Sequence, residues 1–162
     1  MSSMAALPKG THAPDFSLRD ADGSEFELSS ALASGPVLLT FFKASCPTCQ
    51  YALPYLDRFN AALNGSGTAV AVSQDTPADA ERFNVEHGYV TKQVFDTEEA
   101  GFAVSNAYGL TNVPTVFLVG TDGVIQHTMV SWSKADVEEL AGKLGLNSPF
   151  LAGEDVLVYK PG

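Results

Sequence analysis

Hydrophobic positions along the chain switch between a period of two and a period near 3.6, and the switches mark its elements. Phe16-x-Leu18 and Phe26-x-Leu28 alternate around Ala21-Asp22-Gly23-Ser24, which predicts a β-hairpin closed by an Asp-Gly turn. Gly35-Pro36 introduces Val37-Leu38-Leu39-Thr40-Phe41-Phe42, whose continuous hydrophobicity suits a strand buried on both faces, as in a parallel sheet. From Cys46 to about Leu63 the spacing becomes helical, with Ala52, Leu53, Leu56, Phe59 and Leu63 on one side. Pro54 falls inside that helix and is expected to kink it. Thr68 to Val72 predicts a second buried strand, and Thr76-Pro77 starts a helix ending at His87-Gly88. Val94-Phe95 predicts a brief strand, after which Asp96-Thr97-Glu98-Glu99 reads as the capped opening of a helix reaching Tyr108. Thr115 to Val119 and Val124 to Val130 flank Asp122-Gly123 and predict a second hairpin. Ser133-Lys134-Ala135-Asp136 caps a final amphipathic helix that closes at Gly145. Strands alternating with helices, then a hairpin and a helix, indicate an α/β sandwich around a mixed sheet.

With 162 residues the chain is expected to form one domain over 1–162, with its core at about 10–145. A C-terminal tail, 147–162, carries the apolar run Val156-Leu157-Val158 and no assigned chemistry. Hydrophobic residues at 45% and charged ones at 17% supply a packed core and exclude a disordered chain. A net charge of −10 argues against nucleic acid and against anionic membrane surfaces, both of which attract basic faces. No apolar run approaches the ~18–20 residues of a membrane span. The stretch Met1-Ser2-Ser3-Met4-Ala5-Ala6-Leu7-Pro8 has neither the basic nor the apolar region of a secretory leader. The cytoplasm is therefore the expected compartment, with the periplasm as the alternative if a leader has been removed.

Two cysteines are too few for a disulfide scaffold in a chain this long, and they stand three apart in Cys46-Pro47-Thr48-Cys49. A Cys-x-x-Cys pair that follows a buried strand and opens a helix is a redox signature. The attacking species is a thiolate, and a helix N-terminus favours negative charge. Cys46 is expected at that terminus, partly exposed, and Cys49 one turn inward, within reach to close the ring and expel a mixed disulfide. Pro47 suits the first helical turn, where its missing N–H costs nothing. Two other uses of a cysteine pair compete with this one. A zinc site wants four N/S ligands, and His12, His87 and His127 are scattered without partner spacing. An inert pair in the core is the second.

These motifs, taken in order, resemble the thioredoxin-like superfamily. The resemblance is to its redoxin branch, which spans alkyl hydroperoxide reductase/thiol-specific antioxidant proteins and the cytochrome-maturation type of thioredoxin. The matching pieces are Ala13-Pro14-Asp15-Phe16-Ser17-Leu18, the Val37–Phe42 strand, Cys46-Pro47-Thr48-Cys49, Val113-Pro114-Thr115-Val116-Phe117-Leu118 and the Asp122-Gly123 turn. The resemblance implies a central mixed β-sheet flanked by helices, with an N-terminal β-hairpin extension. It implies that Pro114 is cis and faces the cysteines, and that the Val113 backbone pairs with an extended substrate; Pro47, Thr48, Val113 and Pro114 are the implied substrate-binding residues. An ordinary trans proline at a strand start is the alternative. Thioredoxins usually carry a buried acid six residues before the first cysteine and a tryptophan directly before it, and here Thr40 and Ser45 stand there. Water or Lys43 is left to assist proton transfer at Cys49, although a lysine at this place is more simply a solvated one.

The branch contains both disulfide exchangers and peroxidases. Peroxiredoxins place Thr or Ser three residues before the peroxidatic cysteine and an arginine nearby, whereas Lys43 stands three before Cys46. The arginines Arg19, Arg58 and Arg82 fall at no place that pattern assigns. The expected function is therefore that of a monomeric thiol–disulfide oxidoreductase, with Cys46 as nucleophile and Cys49 resolving. Its partners would be protein dithiols or disulfides and a reductase of the thioredoxin type, with no cofactor beyond the Cys46–Cys49 disulfide and no metal. A thioredoxin-dependent peroxidase, with Cys46 peroxidatic and Cys49 resolving, is the alternative. A copper carrier, with His127 as a third ligand by elimination, is the remaining one, although His127 is more simply a surface residue of its hairpin. Phe42, Tyr51, Tyr55 and Trp132 are better read as core or rim packing than as a substrate groove.

Overall fold

The structure is a computed structural model and describes residues 5–162; the first four residues of the stretch weighed as a leader lie outside the described ones. A hairpin of β1 (Ser17–Arg19) and β2 (Glu25–Glu27) leads through α1 (Leu28–Leu32) to β3 (Val37–Phe42). Then come α2 (Pro47–Leu63), β4 (Thr68–Ser73), α3 (Pro77–His87) and β5 (Lys92–Phe95). After α4 (Ala103–Ala107) the chain forms the hairpin β6 (Thr115–Val119) and β7 (Ile125–Val130), then β8 (Trp132–Ser133), α5 (Lys134–Lys143) and β9 (Tyr159–Lys160). The main sheet has five strands in the order β5-β4-β3-β6-β7. β3, β4 and β5 are parallel neighbours, while β6 is antiparallel to both β3 and β7. This is the mixed-sheet α/β sandwich with an N-terminal hairpin that the hydrophobic pattern predicts. No helix among the described residues is long and apolar enough to cross a membrane.

Strand β3 is buried at all six positions because both of its faces are covered. Val37, Leu39 and Phe41 face a cluster with Phe16, Phe26, Tyr108 and Phe117. Leu38 faces Ala52, Leu56 and Phe59 of α2 and Val137 and Leu140 of α5. Phe42, further along that second face, meets Leu53, Phe83 and Cys49 itself. Each fully buried side chain of this size contributes roughly 1.5–3 kcal/mol, so the sheet centre is the firmest ground in the molecule. α2 passes through Pro54 as one element, with the proline exposed, so the carbonyl it leaves unpaired four residues back is on the side where water can serve it.

Several boundaries differ from the pattern. Phe26-x-Leu28 is not one strand: β2 stops at Glu27, and Leu28 opens α1, whose Leu28 and Leu32 reach the core one helical turn apart. The segment after β5 does not begin a helix at Asp96. Gly101 (φ 71°) and Phe102 (φ 49°) are both left-handed, and the helix covers only Ala103–Ala107. Asp96 is fully buried and caps that helix from a distance. Its carboxylate accepts hydrogen bonds from the Val104 amide (3.2 Å), the Ser105 amide (2.6 Å) and the Ser105 hydroxyl (2.7 Å). The expected N-caps elsewhere are present, with Thr76 Oγ1 accepting from the Asp79 amide and Ser133 Oγ from the Asp136 amide.

The C-terminal tail is structured. It folds back along α2, where the Arg58 guanidinium donates to both Glu154 oxygens at 2.8 Å and to the Pro149 carbonyl at 2.7 Å. Arg58 and the Leu151 amide hold the Glu154 carboxyl down to about 2, so this pair stays charged at any pH near neutrality. β9 pairs antiparallel with β8, Trp132 opposite Lys160 and Ser133 opposite Tyr159.

The Asp96 cap carries a prediction. Asp96→Ala leaves buried donors unpaired and should cost ~3 kcal/mol, read as a shift of the urea midpoint. Asp96→Asn keeps one acceptor oxygen and should cost less than half as much.

Candidate active site

The site forms where two connections meet at one end of the sheet. β3 ends at Phe42, and the chain passes through Lys43-Ala44-Ser45 to Cys46, the N-cap of α2. The Cys46 backbone is extended (φ −81°, ψ 118°), and its sulfur accepts a hydrogen bond from the Cys49 amide at 3.3 Å. Pro47 takes the first helical position and is exposed, as its lack of an N–H allows. On the neighbouring strand the chain enters β6 from Val113-Pro114, a cis peptide bond. The Cys46 thiol donates to the Val113 carbonyl at 3.4 Å, which joins the two connections across 67 residues of sequence.

The two sulfurs have different surroundings. Both are free thiols, Cys46 half-buried and Cys49 with no exposed surface. Burial pushes the Cys49 thiol far above its ordinary range, and the nearby Cys46 and Asp75 push it the same way, while a backbone hydrogen bond involving Lys43 opposes them. Thr48 is also buried, and its hydroxyl donates to the Pro161 carbonyl of the tail. Pro114 is buried beneath this junction, and its carbonyl accepts from the Ser131 amide at 2.9 Å. Cys46, Cys49, Thr48, Val113 and Pro114 therefore share one small region, with Pro47 on its outer rim.

Other residues singled out in the sequence lie elsewhere or play other parts. Lys43 is exposed, as a solvated lysine would be. Arg19 bonds the Gly23 carbonyl, Arg58 binds Glu154, and Arg82 pairs with Asp79. His127 is not a surface residue of its hairpin. It is buried on β7 against α5, its Nε2 2.9 Å from Asp136 and its Nδ1 2.8 Å from Glu139, with Lys143 Nζ 3.3 Å from the same Nδ1. Among the described residues this is the cluster whose ligand atoms lie near enough to share an ion. Carboxylates on both ring edges and a lysine beside them make it an ion-pair cluster rather than a third ligand for the cysteines. Trp132 is fully buried and packs edge-on against Tyr51 at 5.3 Å, and Phe42 lies in the core. A groove of about 670 Å³ lies at the β5 edge among Asp20, Tyr89, Lys92 and Gln93, and neither cysteine lines it.

Two contributors escaped the sequence reading. Asp75 follows β4, and its Oδ2 accepts from the Ala44 amide at 2.7 Å, so it braces the loop that delivers Cys46. The signal available was its place just past the end of a buried parallel strand, where α/β sites gather. Thr48 is expected as a substrate contact, whereas its partner in the tail, Pro161, carries no signal in the sequence.

A family model described as AhpC/TSA matches residues 9–128. The chain belongs to the AhpC/TSA family. It is similar to the thiol-disulfide oxidoreductase ResA of Geobacillus thermodenitrificans, 29% identical over 137 residues that span 83% of this chain and 76% of that protein. Its structure is similar to the thioredoxin domain of a thiol-disulfide oxidoreductase from Bacteroides vulgatus, at TM-score 0.73 and 25% identity over 85% of this chain and 98% of that one. Peroxidoxin BcpB of Mycobacterium tuberculosis, at TM-score 0.69 and 21% identity over 86% of this chain and 95% of that one, shares the fold. The protein is thus a thioredoxin-like oxidoreductase of the redoxin branch, on the thiol–disulfide side of the family by its relatives.

The difference between the two sulfurs is open to test. Iodoacetamide on the native, reduced protein should modify Cys46 at least about a hundredfold faster than Cys49, since the thiolate is the reactive form and Cys49 is both buried and protonated. Peptide mass mapping of a time course reads the ratio, and comparable rates would contradict the assigned burial.

Proposed function

We propose that this enzyme exchanges disulfides with protein clients through a Cys46–Cys49 dithiol, Cys46 attacking and Cys49 resolving. The observation that carries the reading is the position of Cys46 Sγ, capped by the Cys49 amide at 3.3 Å and 3.4 Å from the Val113 carbonyl, with Cys49 sealed directly behind it. In the reducing direction the Cys46 thiolate attacks one sulfur of a client disulfide. The client S–S bond breaks, its other sulfur leaves as a thiolate, and a mixed disulfide forms on Cys46. Cys49 then loses its proton and attacks Cys46 Sγ, releasing the second client thiolate and leaving Cys46–Cys49 oxidised. Two electrons pass from the enzyme dithiol to the client. A dithiol reductase of the thioredoxin type restores the enzyme by the same exchange in reverse.

Burial of Cys49 fits the resolving role. A protonated, enclosed thiol does not compete for clients, yet it stands one helical turn from the mixed disulfide it must open. Val113 and Pro114 are assigned to hold the client backbone, with Thr48 and Pro47 at the edge of the same groove. Peroxidase chemistry is the weaker reading, because Lys43 replaces the hydroxyl residue of that pattern and the arginines are engaged by Gly23, Glu154 and Asp79. Disulfide exchange with protein clients fits the periplasmic alternative better than the reducing cytoplasm, and a monomer is the assumed working form.

The test is reduction of insulin disulfides by the reduced protein. Cys46→Ser should abolish it, and Cys49→Ala should lower turnover by at least about a hundredfold while accumulating a covalent adduct on Cys46, visible by intact mass. Full activity in Cys46→Ser would overturn the assignment. Oxidation of Cys46 by hydrogen peroxide far faster than that of a free thiolate would move the reading to a peroxidase.

A further inference from the structure

The tail reaches the residues assigned to client binding. Along α2 it is tied at Arg58, and the Leu157 amide donates to the Tyr51 hydroxyl at 2.9 Å while the Leu157 carbonyl accepts from Trp132 Nε1 at 2.7 Å. The Lys134 amide donates to the Val158 carbonyl at 3.0 Å, and β9 then adds to β8 as a short antiparallel strand. At the tip, the Pro161 carbonyl takes the Thr48 hydroxyl, and the Gly162 amide donates to Ser131 Oγ at 2.9 Å. Gly162 passes so close to the Val113 carbonyl that a Cβ there would overlap its oxygen. That oxygen is the one that also receives the Cys46 thiol.

Little holds this segment apart from its backbone. Val158 is 75% exposed and Tyr159 60%, and the side chain that the tail buries well is Val156, further back. Segments with exposed side chains and few apolar contacts open at low cost. A β-strand addition at a short exposed strand is also the way an extended peptide is recognised, with main-chain bonds giving affinity and the space beside each residue giving specificity.

We propose that residues 157–162 occupy the client groove in cis, paired with β8 through Tyr159–Lys160 and with a glycine over the Val113 carbonyl, and that a protein client gains access by displacing them. The proposal rests on the reading of Cys46 and Val113 as the client site. It assigns the groove an occupant type: an extended segment with a small residue opposite Val113. Cys46 keeps part of its surface exposed with the strap in place, so a small disulfide is expected to reach it without moving the tail. The enzyme therefore discriminates by size, and the apparent affinity for a protein client is lowered by the fraction of molecules whose groove is filled.

The experiment uses the full chain with two substitutions. Gly162→Val forces the tip off the Val113 carbonyl, and Ser131→Ala removes the acceptor of the Gly162 amide. Each should lower the KM for insulin roughly tenfold, as loss of the tip contacts raises the open fraction, while the rate with oxidised glutathione changes less than about twofold. Hydrogen exchange at the amides of 157–160 should lose protection in both variants. Lost protection with an unchanged KM overturns the proposal, because the tail then does not compete with clients. Retained protection in both also overturns it, because the strap then does not depend on its tip. Equal changes with insulin and glutathione point to a merely structural segment and overturn it too. Failure of the underlying site is a separate result: Cys46→Ser would still reduce insulin.

Discussion

The antiparallel pairing of β3 with β6 runs from Val37 opposite Val119 to Phe41 opposite Thr115, and the site depends on its register. Because the strands run in opposite directions, the end of β3 lies beside the beginning of β6. The loop that carries Cys46 and the turn that carries Val113 and Pro114 therefore meet, although three helices and the strands β4 and β5 lie between them in sequence. A slip of one residue would turn Val37, Leu39 and Phe41 away from Phe117 and Tyr108 and send the opposite set to the wrong face. Burial on both sides makes that slip prohibitive, so the hydrophobic core holds the thiol against the Val113 carbonyl. Stability and chemistry share one constraint here.

The same constraint separates the two cysteines. α2 must pack Ala52, Leu53, Leu56 and Phe59 against the sheet, and that drives its first turn down beside Phe42. The residue at the N-cap stays at the rim, and the one three positions on, on the inward face, is enclosed. A Cys-x-x-Cys on such a helix acquires one accessible and one sheltered sulfur from geometry alone. Asp75, arriving from the end of β4, braces the loop from the other side and adds negative charge near Cys49. No carboxylate stands at Thr40, so the acid nearest this thiol comes from a different strand.

Much of this was legible because its determinants are local. The β3 run, the Thr76 and Ser133 caps and the Asp-Gly turns act within a few residues, and each element they mark is present. Pattern also placed Cys46 at a helix start with Cys49 inward. What the pattern missed is held by distant partners. Asp96 sits next to acidic residues that look like a helix start, but it is drawn into the core by Val104 and Ser105, and the left-handed Gly101 and Phe102 delay the helix. His127 is in phase with the buried Ile125 and Met129 on β7, but the partners that let a histidine be enclosed there, Asp136 and Glu139, come from α5. The tail shows no period at all. Its polar partners include Arg58, Tyr51 and Thr48, each on a helix more than ninety residues earlier, and Ser131 and Trp132 beside β8.

Fold likeness extends to exchangers and to a peroxidoxin alike, so the scaffold does not choose between their chemistries. The choice lies in what surrounds one sulfur. A peroxide needs a compact pocket that polarises an O–O bond, and the polar groups for it would have to come from Lys43 and the arginines. Lys43 is in solvent, and Arg58 is spent on Glu154, where it anchors the tail instead of the thiol. A protein disulfide needs a sulfur at the rim of an open groove, a backbone edge for the client to lie along and a second thiol close behind. We propose that Cys46, Val113 and Cys49 meet these requirements in turn once the tail, bonded to Thr48 and Ser131 beside them, has moved aside.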